Sequence, residues 1–331
     1  MMKTHVPVER LFNQFNEIAM ILQEELSCTY LEALAETVED IFHHKILQEE
    51  LSDFTKKRVM KILEENSLDF FTKEQIRKAY QLAILKGMKE YVQPNHQMTP
   101  DSIGMFVSFL IEKFINEQNE WTIMDPACGS GNLLATILNQ LQGKQLEAYG
   151  LDIDDLLIKL AFLGANLLEQ TVQFYNQDSL EPMFVNPVDV TVCDLPVGYY
   201  PNDERAKDYE VSVEEGHTYA HHLFIEQSIK HTKQGGYLFF LIPNGLFESE
   251  QAPKLHELLK KYVHIQSVIQ LPISMFKNKH NAKSILILQK KAPSIQAPKQ
   301  VLLANLPSLK NKEAMEKIII QIDAWIKENK K

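Results

Sequence analysis

From Trp121 to Gln289 the sequence alternates between short apolar runs and amphipathic stretches, and few folds accept that pattern. The apolar runs are Trp121–Met124, Leu146–Leu151, Val172–Tyr175, Val188–Cys193, Gly236–Ile242, Ile265–Leu271 and Ser284–Gln289. Helical spacing fills most of the gaps, at Leu133–Leu141, Asp155–Leu168, Tyr219–His231 and Lys254–Tyr262. Strand and helix in turn predict a mostly parallel sheet covered by helices on both faces, since a parallel strand is reached only through a crossover. Ile265–Leu271 and Ser284–Gln289 lie too close for a helical crossover, so they are expected to form an antiparallel hairpin at the sheet edge. A last strand, "QVLLA", and a helix over Lys312–Lys327 follow a Pro-rich connector, "QKKAPSIQAPKQ".

Residues 6 to about 92 read differently, as helix after helix. "VERLFNQFNEIAMILQEEL" and "TKEQIRKAYQLAILKGMKEYV" place apolar residues three and four apart, with no glycine before Gly87. The expected division is a helical N-terminal domain over 1–95 and an α/β, Rossmann-like domain over 96–331. The second is expected to open with a helix capped by Thr99 and started by Pro100.

Charge separates the two ends of the chain. The net charge is −10, yet the segment from Gln251 onward holds 15 lysines against five acids, so it carries about +10 and the first 250 residues about −20. The acidic whole argues against indiscriminate nucleic-acid binding, while the basic end leaves room for a local anionic partner. Three scattered cysteines, Cys28, Cys128 and Cys193, are too few for a disulfide framework. No apolar run is long enough to span a bilayer and no secretion signal is visible, so a cytoplasmic location with no membrane partner is expected.

"TIMDPACGSGNLLATIL" carries the chemistry of the first half. A strand ends at Asp125, a glycine-rich turn follows, and a helix begins near Asn132. Gly129 and Gly131 permit a tight turn and close approach to a ligand, and the helix start offers free N–H groups. Asp152 ends the next strand, where a carboxylate can accept both hydroxyls of a ribose. Asp178 follows the third strand, where an adenine amino group can be read. The spacing therefore predicts an adenosine site. A dinucleotide fingerprint would place a third glycine where this chain has Leu134, which favours S-adenosylmethionine as the cofactor.

"DPACGSGNLL" resembles the first motif of N6-adenine DNA methyltransferases, above all the modification subunits of type I restriction systems. "QMTPDSIGMFVSFL", "YGLDID", "NQDSL" and the run from "YAHHLFIEQSIKH" to "VIQLPISMF" extend the likeness over roughly residues 90 to 290. A smaller, YtxK-like group is similar in length and in lacking further domains. The resemblance implies a class I methyltransferase fold and a donor site made by Thr99, Asp125, Pro126, Ala127, Gly129, Gly131, Asp152, Ile153, Asp178 and Ser179. Thr99 would face the methionine end. Nucleic acid or another amine substrate is the implied partner, with a second protein supplying target recognition, since only about 40 residues follow the edge strands.

In the resembled enzymes the fourth strand ends in Asn/Asp/Ser-Pro-Pro-aromatic. The acid or amide and a backbone carbonyl accept the two hydrogens of an exocyclic amine and aim its lone pair at the donor methyl. The aromatic ring stacks on a flipped-out base. This chain has Asp194-Leu195-Pro196-Val197. Asp194 keeps the acceptor, Leu195 still supplies a carbonyl, and Pro196 remains as the second proline. Val197 lacks the stacking face, and Tyr199 and Tyr200 are the candidates to replace it. Phe276 resembles a second aromatic position against the base and reads equally as a core phenylalanine. The expected reaction is methyl transfer to an amino group, adenine N6 first. Another planar amine or amide, or donor binding without catalysis, stands as the alternative.

The remaining features have plainer expectations. His217, His221 and His222 are expected to cap and open a helix rather than hold a metal, because no cysteine or acid sits at a matching turn. "EVSVEEGH" reads as a flap behind the altered loop, and "FKNKHNAK" as a basic loop that is solvated or touches a phosphate backbone.

Overall fold

The computed structural model describes residues 5–65, 67–90, 98–115, 120–141, 144–276 and 278–330. The chain begins with four long helices: α1 (His5–Leu26), α2 (Tyr30–His43), α3 (Asp53–Glu65) and α4 (Lys73–Glu90). Thr29 and Glu32 form a reciprocal capping box that fixes where α2 starts. After α5 (Asp101–Phe114) come β1 (Glu120–Asp125), α6 (Asn132–Gln140), β2 (Gln145–Asp152), α7 (Asp155–Leu167), β3 (Val172–Asn176) and β4 (Val188–Asp194). The short α8 (Asp203–Ala206) precedes α9 (Ala220–Lys230), β5 (Thr232–Pro243), α10 (Ala252–Tyr262) and β6 (Val263–Gln270). The chain closes with β7 (Lys283–Lys290), β8 (Leu302–Asn305) and α11 (Lys312–Asn329).

The sheet has eight strands in the order β3-β2-β1-β4-β5-β7-β6-β8. Strands β1 to β5 pair in parallel, and β7 runs antiparallel to both β5 and β6. The expected hairpin is present at this end of the sheet, and β8 adds outside it, parallel to β6. The fold is a mostly parallel, Rossmann-like sheet with an antiparallel strand toward one end. Along β5, Phe239 and Leu241 join the core beneath α5, α6 and α11, while Leu238, Phe240 and Ile242 join the core beneath α9 and α10. Both faces are covered, which is why the strand reads as the continuous apolar run "GYLFFLI".

The helical N-terminal part is not an appendage. Its core, with Phe15, Ile18, Leu34 and Ala83, continues into Leu157, Leu160 and Leu163 of α7. The expected boundary at 95/96 lies outside the described residues. Across the junction, Arg77 of α4 is buried and donates to both carboxylate oxygens of Asp101, at 2.9 and 2.7 Å. It also donates to both oxygens of Glu74 and to the Thr136 hydroxyl on α6.

Thr99 does not cap α5. Pro100 occupies the cap position with no side-chain hydrogen bond, and the Thr99 hydroxyl is spent elsewhere. Among the described residues no helix is long and apolar enough to cross a membrane.

Candidate functional site

Strand order reverses between β1 and β4. The carboxyl ends of these two neighbours therefore open a crevice, the place where doubly wound sheets hold ligands. Asp125 ends β1 and Asp194 ends β4.

The turn after β1 is built by its own backbone. Cys128 N–H donates to the Leu151 carbonyl at 2.9 Å, and Gly131 N–H to the Cys128 carbonyl at 2.9 Å. Gly131 has φ +77°, and a Cβ there would sit 3.0 Å from the Ala161 Cβ, so its lack of a side chain lets α7 pack close. Gly129, at φ +53°, has the opposite surroundings: a Cβ there would meet nothing within 4 Å, so the inner face of the turn borders open space. Gly129 N–H donates to Asp152 Oδ2 at 2.7 Å, and Asp154 N–H to Asp152 Oδ1 at 3.0 Å. Asp152 thus ties the glycine turn to β2. Ile153, beside it, is exposed. Pro126 is buried and its carbonyl accepts from the buried Ser179 hydroxyl at 2.6 Å, which brings the segment after β3 against the turn. Asp178 accepts from Leu180 N–H at 2.9 Å and from the Tyr200 hydroxyl at 2.6 Å. An open glycine cradle, with Asp152 and Asp178 on successive strand ends, fits a nucleoside-bearing donor such as S-adenosylmethionine.

Asp125 is fully buried and receives Ala127 N–H at 3.1 Å. Burial, and then the neighbouring Asp152 and Asp194, push its carboxyl up to about 8. The folded protein therefore keeps a proton that an unfolded chain releases near pH 4. The stability this gives is greatest below about pH 4 and is lost as pH rises toward about 8. Asp125→Asn should remove that slope: thermal unfolding of wild type should fall more steeply from pH 4 to pH 8 than that of the variant. Parallel curves would show that Asp125 does not hold the proton.

Around Asp194 the structure adds partners that spacing did not reveal. Thr99 Oγ1 donates to Asp194 Oδ2 at 2.8 Å, and the Lys283 ammonium pairs with Oδ1. Asn132, at the start of α6, donates to the Thr99 carbonyl at 2.7 Å and accepts from Arg77 at 3.4 Å. The helical domain thus reaches the β4 strand end through three contacts. Lys283 is the last residue of "FKNKHNAK"; its ammonium is paired with Asp194 and stays 25% exposed. The sequence placed Lys283 at the head of a strand but held no signal that links it to Asp194.

The loop after Asp194 is pinned at both ends. Leu195 N–H donates to the Leu241 carbonyl at 3.2 Å and its side chain is buried, Pro196 is half-buried, and Val197 is exposed. Tyr200 N–H donates to the Thr218 carbonyl and Ala220 N–H to the Gly198 carbonyl, both at 2.9 Å, a two-residue ladder onto the start of α9. The two tyrosines part company there. Tyr200 is buried against Asp178, while Tyr199 is 55% exposed and stacks on Tyr219 with centroids 4.8 Å apart. Tyr219 stacks in turn on His221 at 5.0 Å. Phe276 is half-buried against the core below α5 and α11.

The histidines do not cap. Tyr219 holds the cap position of α9, and His221 and His222 are buried in its first turn, with burial pushing their imidazoles down to about 4 and about 3. His217 pairs with Asp203 at 2.9 Å. Among the described residues no group of three His, Cys, Asp or Glu could hold a metal ion. The start of "EVSVEEGH" is anchored: Val211 is fully buried, and Glu226 accepts the N–H groups of Glu210 and Val211, while Glu214 to His217 are exposed.

The model of the N-6 DNA Methylase family matches residues 92–327, and that of the YtxK N-terminal helical domain matches residues 9–88. The uncharacterized protein YtxK of Bacillus subtilis (strain 168) is 51% identical over 331 residues, the full length of both chains. A solved structure from Listeria monocytogenes, of a candidate class I S-adenosylmethionine-dependent methyltransferase, is 46% identical. It superposes with a TM-score of 0.91 over 96% of this chain and 98% of that one. The type I restriction enzyme EcoEI methylase subunit of Escherichia coli is 24% identical over 210 residues, 58% of this chain and 42% of that subunit. The methyltransferase subunit of a type I restriction-modification system from Streptococcus thermophilus shares the fold, with a TM-score of 0.65 at 18% identity over 94% of this chain and 74% of that one.

Proposed function

The chain belongs to the N-6 DNA Methylase family of S-adenosylmethionine-dependent methyltransferases, and on that premise we propose that it methylates the exocyclic amine of a planar acceptor, adenine N6 before others. The observation that carries this reading is Asp194: a carboxylate at the switch-point end of β4, fixed by Thr99 and Lys283, and still 18% exposed. The donor supplies an electrophilic sulfonium methyl. An aromatic amine is a poor nucleophile because its lone pair is delocalised into the ring. Asp194 and the Leu195 carbonyl accept its two hydrogens and hold the lone pair toward the methyl group. The N–CH3 bond forms as the S–CH3 bond breaks, the sulfur keeps the electron pair, and one amine proton leaves to water.

Tyr199 is the residue we assign to the missing stack. Its ring is exposed, rigidly backed by Tyr219, and two residues from Val197. Tyr199→Ala should then leave donor affinity unchanged and lower turnover on an adenine acceptor, since stacking is worth about 1–3 kcal/mol per base. Unchanged turnover in Tyr199→Ala would remove Tyr199 from the base site.

Asp152 is assigned to the donor ribose. Each hydrogen bond to a charged group contributes about 1.5–3 kcal/mol, so Asp152→Ala should weaken S-adenosylmethionine roughly tenfold to a hundredfold by calorimetry. Equal affinity in the variant would remove Asp152 from the donor site.

The test of the reading as a whole is methyl incorporation from labelled donor into single-stranded DNA, duplex DNA, RNA and protein fractions. Label in nucleic acid at adenine is the expected result. Label in protein alone would move the acceptor to an amide, and donor binding without label anywhere would leave a binding protein. A net charge of −10 gives no general attraction to duplex DNA, so sequence-specific duplex methylation by this chain alone is not expected.

A further inference from the structure

We propose that Lys283 is the second half of the acceptor subsite, donating a hydrogen bond to the ring nitrogen next to the methylated amine, adenine N1. The inference rests on the methyl-transfer reading above. Asp194 and Lys283 stand on β4 and β7, with β5 between them, and strands are spaced about 4.8 Å apart. The Lys283 stem therefore reaches back across a whole strand to place its ammonium on Asp194 Oδ1. Its backbone is held on both sides: Lys283 pairs with Pro243 of β5, and its carbonyl accepts Leu271 N–H at 3.1 Å. The next residue is fixed as well, Ser284 Oγ donating to Asn244 Oδ1 at 2.8 Å. The cation is thus built onto the paired end of a strand rather than hung on a loop.

Its chemistry selects a substrate. An ammonium has three donors and no acceptor, and Asp194 takes one of them; a carboxylate accepts at several lone pairs. Lys283 is 25% exposed and Asp194 18%, so both groups keep access to the crevice. Side by side they present an acceptor and a donor, the complement of an edge that carries N–H beside a bare ring nitrogen. The Watson–Crick edge of an extruded adenine has that order. The pair is also neutral as a unit, so a cationic alkyl amine gains nothing from Asp194 that it does not lose to Lys283. The exposed face of Tyr199, stacked on Tyr219, favours a flat base over a slender carboxamide.

The experiment combines a change in the protein with a change in the substrate. Wild type, Lys283→Met and Lys283→Arg are assayed with a single-stranded oligonucleotide bearing adenine, and with the same strand bearing 1-deazaadenine, which has C–H in place of N1. Donor affinity is measured on all three proteins by calorimetry. A glutamine-bearing peptide is a third acceptor. A charge-assisted hydrogen bond predicts that wild type loses roughly tenfold to a hundredfold in kcat/KM on 1-deazaadenine. Lys283→Met should be slow on both strands by the same rate, with no penalty for the deaza base, and should bind donor as wild type does. Lys283→Arg should recover part of the penalty. A deaza penalty of equal size in wild type and Lys283→Met would overturn the assignment and leave Lys283 only as the ion-pair partner of Asp194. Label on the peptide but not on the strand would overturn the base while leaving methyl transfer standing. Label on neither, with donor bound, would overturn both.

Discussion

Asp194→Ala should lower methyl transfer by about 10²–10³-fold and leave donor affinity unchanged, because one transition-state hydrogen-bond partner is removed from the amine while the glycine turn and Asp152 are untouched. Two further consequences come from the partners of this carboxylate. Thr99 and Lys283 lose their shared acceptor, and a half-buried ammonium without its anion repels an approaching amine's partial positive hydrogens. Asp194→Asn separates these effects. Asparagine keeps a carbonyl acceptor for Thr99 or the amine but cannot neutralise Lys283, so it should fall between alanine and wild type. The measurement is the initial rate from labelled donor, with all three proteins side by side at saturating donor. Equal labelling by Asp194→Ala and wild type would strike Asp194 from the catalytic residues and with it the reading of the β4 loop.

Arg77→Ala should cost about 3–5 kcal/mol of stability, the usual consequence of taking one partner from a buried ion pair. Arg77 is 3% exposed and bonds both oxygens of Asp101 and both of Glu74 at once. Its removal leaves Asp101 without its cation, while Glu74 keeps Lys78 at 3.1 Å. The loss should appear as a lower midpoint in urea. The same variant tests the path to the site, because Arg77 contacts Asn132 and Asn132 holds the Thr99 carbonyl. If the helical domain steadies the acceptor subsite, folded Arg77→Ala should lose activity without losing donor affinity. A midpoint within about 1 kcal/mol of wild type would show that the junction rests on its apolar contacts with α7 instead.

Strand and helix alternation determined the parallel sheet, because a run buried on both faces must be apolar throughout and a crossover must be helical. The turn at Gly129 and Gly131 was legible for a local reason: only glycine takes those backbone angles without strain, and the next two strand ends fall at fixed chain distances. Asp194 was legible as the end of an apolar run. The hairpin of β6 and β7 was legible from the shortness of its connection, whereas the seat of β8 outside it was not, since strand order across a sheet is a matter of packing.

The partners of Asp194 were settled only in three dimensions. Thr99 and Lys283 lie 95 and 89 residues from Asp194, and no spacing rule links them. The same holds for Tyr199 and Tyr200, adjacent in the chain and opposite in burial, because one ladder onto α9 turns one ring out and the other in. His221 and His222 looked like cap residues by position, but the packing of α9 against the sheet buried them and gave the cap to Tyr219. Local backbone rules and periodic burial are written along the chain; which charge neutralises which, and which ring keeps an open face, depends on contacts made when distant strands are laid side by side.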